Sequence, residues 1–341
     1  MVLKGRLCYN EDNNSGEGDS LDPLAFLFLI LALICLTVKG YCGKKTSNYV
    51  TSTGDSLLFN LLRMLFCIVI GLVVVLIEQA GSQLAVEPAM LWITVGAGAA
   101  NAAFLAGWLL AIQKNPLVTV DVSLTIGSIL PAILCFFMFG DAISPWKMGG
   151  FALILAATGV LAGYSKDTGK KSGVLGVLLV LIAALGDGLS GFFQQLYKQY
   201  YTEVGSCHHN VFYAKSVYHF YTYVFAALIL LLCFIAFALW QYRKQSNIPR
   251  TQYVKGLFAT CGKPMIHIFI MAVCLFAASY FQTVATNDFG MDSQVLYPVT
   301  KGGCLITVNI TAMLFFGEKP NWRSITGSLI ALSGVVLMSI L

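Results

Sequence analysis

Long apolar runs alternate with short polar segments along almost the whole chain. A membrane-spanning helix needs about 20 mostly apolar residues, and ten runs approach or exceed that length. They lie at roughly 23–43, 54–79, 89–112, 116–140, 145–164, 173–199, 211–241, 264–287, 293–317 and 320–341. Strands of a membrane β-barrel would instead show segments of about ten alternating residues. The pattern therefore predicts an all-α integral membrane protein with ten transmembrane helices.

Composition narrows the class of protein further. Hydrophobic residues make up 57% of the 341 residues and charged residues only 11%, whereas a soluble domain carries about 25% charged residues. This excludes an ordinary soluble enzyme and a nucleic-acid binder. Residues 1–22 differ, because positions 11–20 are polar and acidic and predict a disordered segment. The apolar run that follows is too long for the core of a signal peptide.

Cationic residues predict an orientation. Thirteen Lys and Arg residues fall in the loops after the odd-numbered spans, against five on the opposite side. Positive loops favour the cytoplasmic side, so this count places both termini outside the cell. The expected location is the plasma membrane of a bacterial-type cell.

The second half of the chain repeats the pattern of the first. When the sequence is shifted by 177 residues, Phe139-Gly140-Asp141 falls on Phe316-Gly317-Glu318 and Phe104 falls on Phe281. The repeated unit contains five spans, an odd number, so the second copy must enter the membrane the opposite way. Inverted repeats of this kind build many secondary transporters. The predicted organisation is a disordered segment at 1–22, a first five-helix repeat at 23–165 and a second at 172–341.

The last two predicted spans resemble a known family. Phe316-Gly317-Glu318 ends the ninth span, Gly327 and Gly334 lie in the tenth, and Tyr297-Pro298-Val299 opens the ninth. This arrangement is similar to EamA-type members of the drug/metabolite transporter superfamily. The resemblance implies ten helices in two inverted halves, a central substrate cavity and cytoplasmic termini. It therefore favours the orientation opposite to the one that the charge count gives.

Ionisable residues within the spans are functional candidates, because each costs at least about 2.5 kcal/mol at the bilayer centre. Lys301 precedes Gly302-Gly303 and can hold a carboxylate or phosphate, or it can extend to the nearer interface. Asp187 shares a polar face of the sixth span with Gln194. It can respond to protonation or to a substrate amine, or form a structural pair with Lys39 or Lys301.

Other polar and aromatic residues complete the candidate set. Lys39 and Arg63 can also be interface residues, and Asp121 can cap a helix or line the cavity. Asn101 can hydrogen-bond between helices, and the aromatic residues can form a cavity wall or pack between helices. The candidate cavity residues are Lys301, Asp187, Gln194, Tyr297, Lys39, Asp121, Asn101 and Tyr280.

The sequence carries no motif for catalysis or nucleotide binding. It has no P-loop, no GxSxG and no HExxH, and His208 and His209 are adjacent, which is a poor spacing for a metal site. We therefore expect no enzyme activity, no cofactor and no bound metal. A coupling proton or a counter-substrate would supply the energy for transport.

Together these features predict a secondary transporter that moves a small polar metabolite or drug-like solute by alternating access. Its partners would be the solute and the lipid bilayer, with no nucleic acid. The GxxxG motif at 159–163 reflects helix packing or a homodimer. Two alternatives stay open: a carrier or flippase for a lipid-linked or nucleotide-linked group, and a membrane scaffold without transport.

Overall fold

The computed structural model describes residues 23–115, 117–139, 144–167, 174–201, 211–244, 262–289, 291, 293–317 and 321–339. Within these ranges the chain forms eleven α-helices and no strand. The helices are α1 (Pro23–Ser47), α2 (Thr53–Ile77), α3 (Pro88–Lys114), α4 (Leu117–Leu124), α5 (Ile129–Phe139), α6 (Pro145–Asp167), α7 (Val174–Tyr201), α8 (Lys215–Lys244), α9 (Met265–Asn287), α10 (Ser293–Phe316) and α11 (Trp322–Ser339). Short 3-10 helices occupy Ala80–Leu84 and Thr125–Ser128.

Eight segments of the described chain are long and apolar enough to cross a membrane. They lie in α1, α2, α3, the combined α4–α5 unit, α7, α8, α9 and α10, and α11 adds a shorter apolar helix at Trp322–Leu337. The protein is therefore an all-helical, multi-pass membrane protein. Ten spans remain a prediction, and the segment 1–22 that was expected to be disordered lies outside the described residues.

The start of α2 shows how the sequence sets a helix boundary. Ser52 caps the helix by accepting a hydrogen bond from the Asp55 amide at 3.1 Å, and the Asp55 carboxylate accepts one from the Ser52 amide at 2.8 Å. This reciprocal pair satisfies two backbone donors that a helix start leaves free. Asp55 also accepts from the amide and the hydroxyl of Thr51. The buried carboxylate is thus fully used in fixing the turn between α1 and α2.

The span predicted at 116–140 is not one regular helix. It consists of α4 and α5 joined by the 3-10 helix Thr125–Ser128. Pro131 explains the break, because proline has no amide hydrogen to donate to the carbonyl of Gly127 four residues earlier. That carbonyl lies against Gly188 of α7, where a Cβ atom would come within 2.3 Å of the Gly127 oxygen.

Helix pairs from distant parts of the sequence make the largest contacts. α3 packs against α7, α1 against α9, α2 against α8 and α6 against α11. Further contacts join α3 to α8, α2 to α9, α1 to α10, and α7 to the α4–α5 unit. Most of the large helix contacts therefore join the two halves of the chain, and α10 also packs against α11 within the second half.

Two glycines on α7 bring neighbouring backbones close to Asp187. At Gly186 a Cβ atom would lie 2.5 Å from the Phe104 amide nitrogen of α3, and at Gly188 it would meet the Gly127 oxygen. Both positions lack room for any side chain, so α7 approaches α3 and the 3-10 break at backbone distance. Asp187 is consequently held between these elements.

We predict that Gly188→Ala destabilises the protein by about 1–3 kcal/mol, because the added methyl group meets backbone that cannot move aside easily. Thermal unfolding of the purified protein in detergent measures the change. Gly159→Ala in α6 is the matched control, since nothing lies within 4 Å of a Cβ atom there, and it should be neutral or stabilising. Equal stability of the two variants would contradict the proposed contact.

Candidate functional site

Two internal cavities lie between the helices. The larger, about 80 Å³, is lined by residues of α1, α3, α5, α7, α9 and α10 and by Gly127. The smaller, about 30 Å³, is lined by residues of α1, α3, α4 and α10. Leu36, Phe104, Lys39 and Lys301 line both cavities. These four side chains therefore form the boundary between the two.

Lys301 and Asp187 form an ion pair at the wall of the larger cavity. The Lys301 ammonium lies 2.5 Å from Asp187 Oδ2, and the two side chains are 20% and 18% exposed. Lys301 is followed by Gly302 and Gly303, where α11 and α1 approach α10 closely. The pair joins α10 to α7. Because the two charges neutralise each other, neither side chain is left as an unpaired charge among apolar helices.

A second cationic centre surrounds the Trp108 indole. The Lys39 ammonium lies 5.4 Å from the centre of the Trp108 ring and 5.1 Å from that of Phe104. The Arg63 guanidinium lies 5.6 Å from the Trp108 ring centre. All three distances fall within the range of cation–π attraction. The indole Nε1 donates a weak hydrogen bond of 3.5 Å to Asp121 Oδ1, which connects the smaller cavity to this centre.

Neutral polar groups line the rest of the larger cavity. Asn101 donates to the Ala97 carbonyl at 3.1 Å and to the Ser190 hydroxyl at 3.0 Å. Gln194 donates to the Thr283 hydroxyl at 2.5 Å. Ser279 and Gln282 of α9 also face this cavity. A solute here would therefore meet hydrogen-bonding groups on α3, α7 and α9.

A polar network lies at the end of the larger cavity where α2 ends and α8 begins. Glu78 accepts hydrogen bonds from the hydroxyls of Tyr280 and of Ser216, the second at 2.5 Å. His219 is buried, and its Nε2 lies 3.0 Å from the Thr283 hydroxyl that also binds Gln194. We call Glu78, Ser216, His219, Tyr280 and Thr283 the Glu78 network. It links α2, α8 and α9, and it adjoins the larger cavity through the hydrogen bond between Gln194 and Thr283.

The structure brings six of the eight candidate residues to the two cavities. Two others differ: Tyr280 lies against Glu78, outside the lining of either cavity, and the side chain of Tyr297 lies outside the described residues. The residues at the cavities are Lys301, Asp187, Gln194, Lys39, Asp121 and Asn101. Asp187 pairs with Lys301, one of the two partners that the sequence left open.

Sequence reasoning missed the role of Glu78. The residue lies just beyond the last turn of α2, so hydropathy alone marks it as an ordinary helix end. His208 and His209 lie outside the described residues, and within the described ranges no group of three His, Cys, Asp or Glu side chains could hold a metal ion. The chemistry available at the cavities is thus ion pairing and hydrogen bonding.

We predict that Asp187→Asn and Lys301→Met each destabilise the protein by up to about 3 kcal/mol, because each leaves an uncompensated charge in the interior. The double variant should be more stable than either single variant, since it removes both charges. Thermal unfolding of all four proteins completes the cycle. Purely additive losses would show that the two side chains do not interact.

Comparison with known proteins supports the fold alone. No family model matches the chain, and no curated protein matches it. Among solved structures 27 chains match. One crystal structure aligns with a TM-score of 0.60 over 92% of this chain and 96% of the other, at 14% identity. Because the sequences are so dissimilar, this likeness shows a shared arrangement of helices and carries no statement about activity.

Proposed function

We propose that this protein is a secondary transporter that carries a small polar solute across the membrane by alternating access. The observation that supports this most directly is the position of the charged cavities. Lys39, Lys301 and Asp187 lie within helices that are apolar enough to span a membrane. Charged groups within membrane-spanning helices are costly and mark functional sites, and here they line a space between the helices.

The pairing of helices supports an inverted repeat of two five-helix halves. Exchange of the halves would map α1, α2, α3, α4–α5 and α6 onto α7, α8, α9, α10 and α11. Under this exchange the α1–α9 contact maps onto the α3–α7 contact, and the α3–α8 contact maps onto the α2–α9 contact. The α1–α10 contact likewise maps onto the contact of α7 with the α4–α5 unit. The α2–α8 and α6–α11 contacts map onto themselves. This symmetry agrees with ten spans and with the EamA-type architecture that the sequence resembles.

The cavities are small in the described conformation. About 80 Å³ holds a few water molecules and is smaller than the about 300–1,000 Å³ of pockets for drug-sized ligands. Entry of a solute from the end where α2 meets α8 requires the Glu78 network to open. Movement past Lys39 and Lys301 then delivers the solute to the smaller cavity. Rocking of one half against the other would perform both steps in turn.

The test begins with a thermal-stability screen of the purified protein against amino acids, sugar phosphates, nucleotide sugars, amines and drugs. A ligand present at about 100 times its dissociation constant adds about 2.7 kcal/mol to the free energy of unfolding. Any stabilising compound is then assayed for uptake into proteoliposomes. We expect Lys301→Ala to lower uptake at least about tenfold through loss of a charged contact.

Lys45→Ala is the matched control, because Lys45 is a lysine of α1 that contacts Tyr41 and Phe316 and lines neither cavity. It should leave uptake unchanged. Normal uptake by Lys301→Ala would remove the proposed role of Lys301. If no solute stabilises the protein or crosses the membrane, the transport proposal fails. Movement of a fluorescent lipid in the same vesicles would then favour the lipid-linked carrier.

A further inference from the structure

The surroundings of Lys39 carry more positive than negative charge. The described residues there include three cations, Lys39, Arg63 and Lys301, and two carboxylates, Asp121 and Asp187, whereas Glu78 lines neither cavity. On the basis of the proposed transport function, we propose that the transported solute is a small organic monoanion whose carboxylate or phosphate group binds Lys39 beside the Trp108 ring. The solute would supply the negative charge that is missing around Lys39.

The surroundings of the Lys39 ammonium are the main evidence for an anionic ligand. Its side chain is 8% exposed and lines both cavities. Within the described residues its ammonium contacts the faces of Phe104 and Trp108 and forms no ion pair of its own, since Asp187, the carboxylate that attracts it, is paired with Lys301. An ammonium that is withdrawn from water normally requires a paired anion, and ring faces replace that anion only in part. An anion in the cavity would complete its coordination.

Arg63 adds a further positive charge next to the Trp108 ring. Its side chain is fully buried at 0% exposure. Nη1 lies 3.7 Å from the Met271 sulfur, while Nε and Nη2 have no hydrogen-bond partner among the described residues. Its charge therefore raises the positive potential at Trp108, where Lys39 also lies. Low local dielectric keeps such a charge effective over several ångströms.

The charge balance distinguishes a monoanion from a zwitterion. Lys301 is neutralised by Asp187 at 2.5 Å, so Lys39 and Arg63 remain against Asp121 alone. A monoanion cancels this surplus of one positive charge. A zwitterionic amino acid adds no net charge and would leave the surplus in place. The volume of about 80 Å³ further favours a solute of few heavy atoms in the closed state.

Lactate and alanine are suitable probes, because they have nearly the same size and differ in net charge. We would measure stabilisation of the full-length protein by sodium lactate, glycerol 3-phosphate, alanine and glycerol, with sodium chloride holding ionic strength constant. Uptake of each labelled compound into proteoliposomes is measured in parallel. We expect lactate to bind more tightly than alanine and glycerol. Glycerol 3-phosphate is mostly a dianion at pH 7, because the second pKa of a phosphate monoester is about 6, so we compare it with lactate at about pH 5, where each carries about one negative charge. That comparison separates a preference for carboxylate from one for phosphate.

Substitution of Lys39 tests the assigned contact. Lys39→Gln should weaken binding of the preferred anion about tenfold or more, whereas Lys39→Arg should retain most of it. Lys45→Gln is the control lysine on the same helix and should change nothing, because it lines neither cavity. If Lys39→Gln does not fold, the preference of the unaltered protein for lactate over alanine still decides the question.

The outcomes separate this inference from the proposed function. Uptake of alanine or glycerol without any preference for anions would overturn the monoanion assignment and leave transport standing. Anion binding that Lys39→Gln abolishes, without uptake of any compound, would support the anion site and overturn transport. Anion binding that is equal in Lys39→Gln and in the unaltered protein would overturn the role of Lys39. Absence of both binding and uptake would overturn both proposals.

Discussion

The compensation of charge inside an apolar helical protein is the constraint on which the site depends. Lys301 and Asp187 lie 114 residues apart in sequence, and their ion pair joins α10 to α7 across the larger cavity. Each alone would be unfavourable in hydrocarbon surroundings. Together they are tolerated, and they fix two helices of the second half at one distance. Lys39 forms no such pair among the described residues, and for this reason we propose it as the place where an anion binds.

The helices around this pair approach one another closely at glycines. Gly186 and Gly188 admit the α3 backbone and the Gly127 carbonyl to either side of Asp187, and Gly302 and Gly303 make room for side chains of α11 and α1 beside Lys301. Small residues at helix contacts let helices approach closely and associate in lipid. Each charged residue is therefore next to a close helix contact on one side and the larger cavity on the other.

Much of the helical pattern was predictable from the sequence, because hydropathy depends on local composition. The polar face of α7 that carries Asp187 and Gln194 was predictable for the same reason, since helical periodicity is local. The choice of Lys301 as the partner of Asp187 was not, because it depends on how α7 and α10 approach each other. Tyr280 was expected at the cavity but binds Glu78, as the rotation of a helix about its axis follows from packing. The 3-10 break before Pro131 could have been predicted from the proline alone.

Lys39 and Lys301 separate two cavities with different surroundings. The larger cavity adjoins the Glu78 network, in which the Glu78 carboxylate accepts from two hydroxyls and His219 contacts Thr283. Hydrogen bonds to a carboxylate contribute about 1.5–3 kcal/mol net each, although water can replace the partners one at a time. Separating Lys301 from Asp187, or moving Lys39 and Arg63 away from the Trp108 ring, is costly unless an anion takes the place of the lost partner. Under the proposed transport function, the Glu78 network would open by exchanging its hydrogen bonds with water, and passage beyond the lysines would depend on the charge of the solute. A transporter built in this way would select its solute at Lys39.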